Sequence, residues 1–168
     1  IGLEGYQREL SNFVINERVP NSGNTHAVYH YLKIANYLGA QIEPVTFDLP
    51  VDSTAMQWAR DLFADHGMLD GRAIVGINPT TSRANKNWDP EKFARMANAI
   101  DDVNWVITGA PSDRDIAESI AGQIAAPCLV TAGRTDISRL AAVISLMDLM
   151  VSCDSGPLHI AVALNVPT

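Results

Sequence analysis

Cysteine is scarce: Cys128 and Cys153 are the 2 in a chain of 168 residues, and their spacing matches no metal-ligand pattern. They are too few for a disulfide scaffold. Both sit in apolar surroundings, so they are expected as buried free thiols in a reducing compartment. Positive charge is short as well, with 12 Lys and Arg against 19 Asp and Glu, a formal net charge of −7 and a pI near 4.9. Such a chain gains nothing as a whole from nucleic-acid phosphates or anionic lipid, which argues against a general nucleic-acid binder. A small anionic ligand is still compatible if one pocket gathers the few cations. No apolar run reaches the roughly 18 residues of a bilayer span. The nearest, from Leu140 to Val151, is broken by Ser145 and Asp148. The opening Ile-Gly-Leu-Glu-Gly lacks the basic and apolar regions of a signal peptide, and the expected location is cytoplasmic.

The texture changes near residue 70. Before it the pattern is irregular: Phe13-Val14-Ile15 reads as a short strand, and His26 to Leu38 as a helix stopped by Gly39. Phe47 to Val51 reads as a short extended piece, and Trp58, Ala59, Leu62 and Phe63 as one face of another helix. From residue 71 apolar strands alternate with amphipathic helices. Strands are expected at 73–77, 105–108, 128–130 and 149–152, and helices at 90–100, 112–124, 136–146 and from Pro157. Strands that are apolar throughout are buried on both faces, so the expected fold class is α/β with a parallel, Rossmann-like sheet. Right-handed crossovers bring the loops after Ile77, Thr108, Val130 and Ser152 to one edge, where such sheets bind ligands. A further strand is due after Pro167-Thr168, so the sheet is expected to be an incomplete part of something longer.

Four loops at that edge carry candidate chemistry. Ser152-Cys153-Asp154-Ser155-Gly156-Pro157-Leu158-His159 turns from a strand into a helix, whose free N–H groups and dipole favour an anion. Gly156 admits a phosphate close to the backbone, Ser155 offers a hydroxyl, and His159 lies in the first helical turn. The alternative is a helix capped by Asp154 or Ser155, with His159 merely exposed. The loop 78–88 holds three hydroxyls and two cations, among them Thr81, Ser82 and Lys86. It has no Gly-x-x-x-x-Gly-Lys pattern and can equally be a solvated loop in which Trp88 anchors the next helix. In Gly109-Ala110-Pro111-Ser112-Asp113-Arg114-Asp115, Ser112 and Asp115 suggest a capping box, and Asp113 can project towards ligand hydroxyls. Gly133-Arg134-Thr135-Asp136 can add a cation or cap a helix. His26 and His30 lie one turn apart without an acidic or cysteine partner, which favours a solvated helix face over a metal pair.

Taken in order, Asn78-Pro79 through Lys86-Asn87-Trp88, Val106 to Pro111, Ala132 to Thr135, Leu140-Ala141-Ala142 and Val151 to Thr168 resemble glycosyltransferase family 9, the bacterial lipopolysaccharide heptosyltransferases. Residues 1–70 resemble the family more loosely, as the tail of an acceptor-side domain and its link. Residues 71–168 resemble the donor nucleotide-sugar-binding domain. The resemblance implies a two-domain GT-B fold and inverting, metal-independent transfer of heptose from ADP-heptose to the inner core of lipopolysaccharide. It implies no cofactor beyond the nucleotide-sugar donor. By motif position Thr81 and Ser82 contact phosphate, Lys86 stabilises the departing diphosphate, Asp113 contacts the donor, and Asp154, Ser155, Gly156 and His159 hold donor sugar and phosphates. Ser82 and Ser155 stand where threonine is usual. The family's general base, an aspartate early in its N-terminal domain, has no counterpart in this sequence, so activity is expected of a longer parent. The implied acceptor is a lipid-linked core oligosaccharide, which brings peripheral contact with the inner face of the inner membrane, although no amphipathic basic helix stands out. Other readings are a transferase using another nucleotide sugar for surface polysaccharide, and a non-catalytic sugar-nucleotide-binding module.

Overall fold

The computed structural model describes residues 1–5, 13–21, 26–42, 44–47 and 49–168. They fall into two units, Ile1–Thr46 and Phe47–Thr168. In the first, β1 (Gly2–Leu3) and β2 (Arg18–Val19) pair in parallel, with Leu3 opposite Val19. The strand expected at Phe13–Ile15 is absent. Phe13 and Val14 are 86% and 80% exposed, whereas Leu3 and Val19 are buried, so extended pairing forms where side chains have something to cover. Helix α1 (Ala27–Tyr37) matches expectation: the His26 side chain accepts from the Val28 N–H, and Gly39 at φ +88° supplies the left-handed residue that ends it. The extended piece expected at 47–51 makes no ladder at its described residues, and its residue 48 lies outside them.

The second unit opens with α2 (Ser53–Asp65), capped by Asp52, which accepts from the N–H groups of Thr54 and Ala55. Its buried face, Ala55, Ala59, Leu62 and Phe63, joins the core beneath the sheet. The second compact unit thus includes α2, which lies before the change of texture near residue 70.

After α2 come β3 (Ala73–Asn78), α3 (Pro90–Ala97), β4 (Val103–Ile107), α4 (Arg114–Ala121), β5 (Cys128–Val130), α5 (Ile137–Ser145), β6 (Leu149–Ser152) and α6 (Gly156–Ala163). The four strands lie in the order β5-β4-β3-β6, all parallel. The chain steps outward from β3 through β4 to β5, then returns across the sheet to place β6 on the other side of β3. Strand order thus reverses between β3 and β6, and that is where a crevice opens in sheets of this kind.

Both faces of the sheet are covered. Ile74, Val106, Leu129 and Met150 pack with residues of α2, α5 and α6, while Val75, Ile77, Trp105 and Ile107 pack with Phe93, Ala97, Ala117 and Ile120 of α3 and α4. This is why the strands read as unbroken apolar runs. Trp105 is wholly buried, and its indole N–H finds no acceptor among the described residues. Trp58 lies under the Arg139 guanidinium, 4.8 Å from carbon to ring centre. Neither cysteine is in a disulfide, and burial pushes the partly buried Cys128 thiol up to about 12, which leaves it protonated at neutral pH.

Helix bounds run shorter than expected at α3 and α4. A 3₁₀ turn, Pro111–Asp113, precedes α4, and it is Asp113 that turns back to the backbone, accepting from the Ala110 N–H at 2.8 Å. The capping role expected of Ser112 and Asp115 is therefore moved two residues earlier. Pro111 starts the turn sooner because its fixed φ suits a first helical position.

Gly76 lies in the interior of β3 because there is no room for a side chain: a Cβ there would meet Met147 Sδ at 2.3 Å and Met150 Sδ at 2.8 Å. Gly76→Ala should lower unfolding stability by roughly 1–3 kcal/mol through overpacking. Adding Met147→Ala should recover part of that loss. Urea denaturation of the single and double variants measures both, and a neutral Gly76→Ala would mean that the methionines give way freely.

Candidate functional site

The ladders that build the sheet also align its end. Asn78 is paired with Ser152 across β3 and β6, and Thr108 and Thr131 follow the last paired residues of β4 and β5. Asn78, Thr108 and Thr131 are buried polar residues at the point where apolar strands give way to loops. Their hydrogen-bonding capacity is spent on one another and on strand carbonyls. Thr108 Oγ1 lies 3.2 Å from Asn78 Oδ1, and Thr131 Oγ1 lies 3.2 Å from the Ile107 carbonyl. The Asn78 amide donates to the Thr80 carbonyl and to Ser155 Oγ, each at 2.9 Å. One buried side chain therefore ties the loop after β3 to the turn after β6, on both sides of the crossover point.

Lys86 and Asp154 form an ion pair across this crevice, joining the same two loops at their outer ends. The Lys86 ammonium is the main reason that the Asp154 carboxyl is held below the usual range, first by its hydrogen bond and then by its charge. Partial desolvation opposes this, and His159 and Arg83 assist. His159 Nε2 stands 4.0 Å from Asp154 Oδ1 with its side chain 76% exposed. Ser155 occupies the N-cap position of α6, but its side chain makes no capping bond. The N–H groups of the first turn of α6 are left without a side-chain acceptor, and their dipole faces the crevice mouth. Gly156 has no positive φ, and a Cβ added to it would meet nothing within 4 Å. Nothing in the protein itself requires glycine there.

Beside the pair lies a cleft of about 560 Å³, walled by Thr80, Thr81, Ser82, Asp113, Ser155 and Pro157 among others. Of the residues singled out from sequence, Thr81, Ser82, Asp113 and Ser155 line it; Lys86, Asp154, Gly156 and His159 do not, although Lys86 and His159 both gather at Asp154 in the turn after β6. Thr81 differs from expectation in detail. Its hydroxyl donates to the Arg83 carbonyl at 2.8 Å and accepts from the Arg83 N–H at 3.0 Å, so it shapes the loop from within. Its backbone N–H is taken by Asn87 Oδ1. Asp113 reaches the cleft wall with one oxygen already bonded to Ala110. Trp88 anchors the following helix, its ring edge-on to Phe93 at 4.9 Å between centres.

Arg134 is not brought to this cleft. It lines a separate hollow of about 460 Å³ at the open edge of β5, with Arg114 and Cys128. Asp136 caps α5 by accepting from the Arg139 N–H. Sequence reading missed Asn78 as a hub, and it missed an apolar wall formed by Pro111, Ile137, Leu140 and Pro157. The signal for Asn78 was present: a polar side chain closing an apolar strand at a ligand-binding edge.

Comparison with known proteins gives the family and the fold. The family pattern described as glycosyltransferase family 9 (heptosyltransferase) matches residues 1–168. The chain is 30% identical over 170 residues to the lipopolysaccharide core heptosyltransferase OpsX of Haemophilus influenzae, covering 98% of this chain and 47% of that protein. It is 31% identical over 153 residues to lipopolysaccharide heptosyltransferase 3 of Escherichia coli K12, covering 85% and 42%. The chain thus spans about half the length of these curated relatives. Among solved structures, a family 9 glycosyltransferase from Veillonella parvula superposes with a TM-score of 0.79 at 22% identity, over 90% of this chain and 45% of that one. Escherichia coli heptosyltransferase WaaC with ADP superposes with a TM-score of 0.64 at 22% identity, over 94% and 48%. These two likenesses speak to the fold: an α/β architecture with a parallel sheet, matching about half of each of the two solved chains.

The Asp154 carboxyl is depressed chiefly by Lys86, so any stability the pair adds is present above the carboxyl's unfolded pKa and is lost as pH falls through its folded value. Carbon-13 NMR titration of Asp154 should show a midpoint below that of an ordinary aspartate, returning upward in Lys86→Ala. An unmoved midpoint would mean that the two side chains do not meet in solution.

Proposed function

The chain belongs to glycosyltransferase family 9, the heptosyltransferases, and from that membership we propose that its second unit is the donor-binding side of an enzyme that moves heptose from ADP-heptose to the lipopolysaccharide inner core. Residues 1–46 then belong with the acceptor side. The observation that carries this reading is the convergence, at the β3–β6 crossover, of the Lys86 ammonium and the uncapped N-terminus of α6 beside the cleft. Both are sources of positive potential, and the helix N-terminus borders, through Ser155 and Pro157, a space large enough for a nucleotide.

In the transfer, an acceptor hydroxyl oxygen attacks the anomeric carbon from the face opposite the diphosphate. The bond from that carbon to the diphosphate oxygen breaks, and the electron pair leaves with ADP. Charge therefore grows on the diphosphate as the bond lengthens. Donors already aimed at that position lower the barrier without having to reorganise, and Lys86 is assigned the largest share. In the free protein Lys86 is held by Asp154, and an incoming diphosphate offers it more charge than one carboxylate does. Asp154 and His159 are then left to face the donor sugar and its phosphates. Ser82 supplies a hydroxyl to phosphate, as does Ser155. Thr81 contributes by holding its loop in the turn that presents Ser82. Asp113 keeps one oxygen for donor hydroxyls, and Gly156 leaves the diphosphate room to approach the backbone. The absence of any steric demand for glycine inside the protein supports that last role. The proton of the acceptor hydroxyl goes to a base that no residue of this cleft is assigned to be. The acceptor is a lipid-linked core oligosaccharide, reached at the membrane surface.

Calorimetric titration of the full-length protein with ADP, UDP and GDP tests the donor. ADP should bind most tightly. Lys86→Ala should weaken it and lower kcat by about 10²–10³-fold, the usual loss when one leaving-group donor is removed. Equal affinity for all three nucleotides would remove the ADP-sugar assignment and leave the fold untouched. Full activity in Lys86→Ala would place the chemistry in another cleft.

A further inference from the structure

Asn78 does more than fill the end of a strand. The residue is 2% exposed, and the three hydrogen bonds of its side chain point the same way along a chain of donors. The Thr80 carbonyl can only accept, so the atom of Asn78 that faces it at 2.9 Å must be the amide nitrogen. Turning the amide over would set oxygen against oxygen. Thr108 Oγ1, 3.2 Å from Asn78 Oδ1, supplies the hydroxyl that this orientation calls for. With the amide fixed, its second N–H points at Ser155 Oγ at 2.9 Å and occupies a lone pair there. The Ser155 proton is thereby directed away from Asn78. Within the protein its nearest acceptor is the Cys153 carbonyl at 3.1 Å, and that oxygen already receives the Ser152 hydroxyl at 2.7 Å.

We infer that Asn78 is a positioning residue for the donor diphosphate: by occupying one lone pair of Ser155 Oγ it turns the hydroxyl proton away from itself, and that proton passes from a shared, weakly held carbonyl to a ligand oxygen. The inference rests on the diphosphate reading of the cleft given above. Asn78 is buried at the floor of the cleft, with its amide N–H groups already taken by the Thr80 carbonyl and Ser155 Oγ. It acts through Ser155, and through Thr80 it holds the loop that carries Ser82 and Lys86. A carboxylate in its place reverses the relay, since it would draw the Ser155 proton inward and add negative charge below the site.

The test is a double-mutant cycle on the full-length protein, read by ADP calorimetry, with thermal melting to establish that each variant is folded. Ser155→Ala alone should weaken ADP about tenfold, the usual scale of one hydrogen bond to a charged group. In an Asn78→Ala background the same Ser155→Ala change should alter ADP affinity hardly at all, because the hydroxyl there has already lost its orientation. Asn78→Asp should weaken ADP more than Asn78→Ala does. A merely structural Asn78 would give equal, additive losses from Ser155→Ala in both backgrounds, and that result overturns the inference. So would an Asn78→Asp protein that melts normally and binds ADP as the parent does. If UDP or GDP binds in place of ADP, the cycle is read with that nucleotide, and the ADP assignment fails while the role of Asn78 stands or falls on the coupling. Absence of binding by any of the three to the unaltered protein overturns both.

Discussion

Parallel pairing is the constraint on which the site depends. Four strands in register must all end at one edge, and there the backbone leaves the apolar interior while still shielded from water. Polar groups in that position cost about 1–3 kcal/mol each if left unpaired. Asn78, Thr108 and Thr131 meet the requirement by bonding to one another and to strand carbonyls. The same bonds reach outward to Thr80 and Ser155. Loops that are exposed at their tips are thereby fixed at their roots. A fixed root is what lets a loop hold donors ready for a charge that appears only during reaction.

The Lys86–Asp154 pair works on the opposite principle. Both side chains are substantially exposed, and exposed ion pairs contribute little to stability. The fold does not rely on this contact, so the contact can be exchanged for a ligand at small cost. Buried, rigid polar bonds hold the frame, and an exposed, exchangeable bond waits at its rim. The Thr81 hydroxyl belongs to the first kind, spent inside its own loop, and the uncapped N–H groups of α6 belong to the second.

Much of the second unit is legible in the sequence because its strands are covered on both faces. Continuous apolar runs mark β3 to β6 closely, and every residue assigned to the donor lies in a loop that follows one of these strands or in the first turn of α6. What escaped has physical reasons. Helix α2 carries an amphipathic pattern, but pattern alone does not say which core its buried face joins, and its place in the unit that begins at Phe47 could not be read from it. Phe13-Val14-Ile15 has strand composition, but Phe13 and Val14 are exposed and the segment pairs with no strand among the described residues. Arg134 lies in a loop at the right edge of the sheet yet serves another hollow, because β5 is the outermost strand. Asn78 was read as the first residue of a loop. Its importance comes from contacts with residues 30 and 77 positions away, which no local pattern encodes.

The 3 tryptophans occupy three different environments, and the protein therefore carries its own optical reporters. Trp105 is sealed between sheet and helices, and its emission belongs to the native core. Trp58 lies against the guanidinium of Arg139, on the face where α2 meets α5. Trp88 is 42% exposed and closes the loop that begins at Asn78, with its ring braced on Phe93. Movement of that loop changes the solvent seen by one indole and leaves the other two alone. Movement of that loop and unfolding of the core are thus separable by colour within a single unlabelled chain.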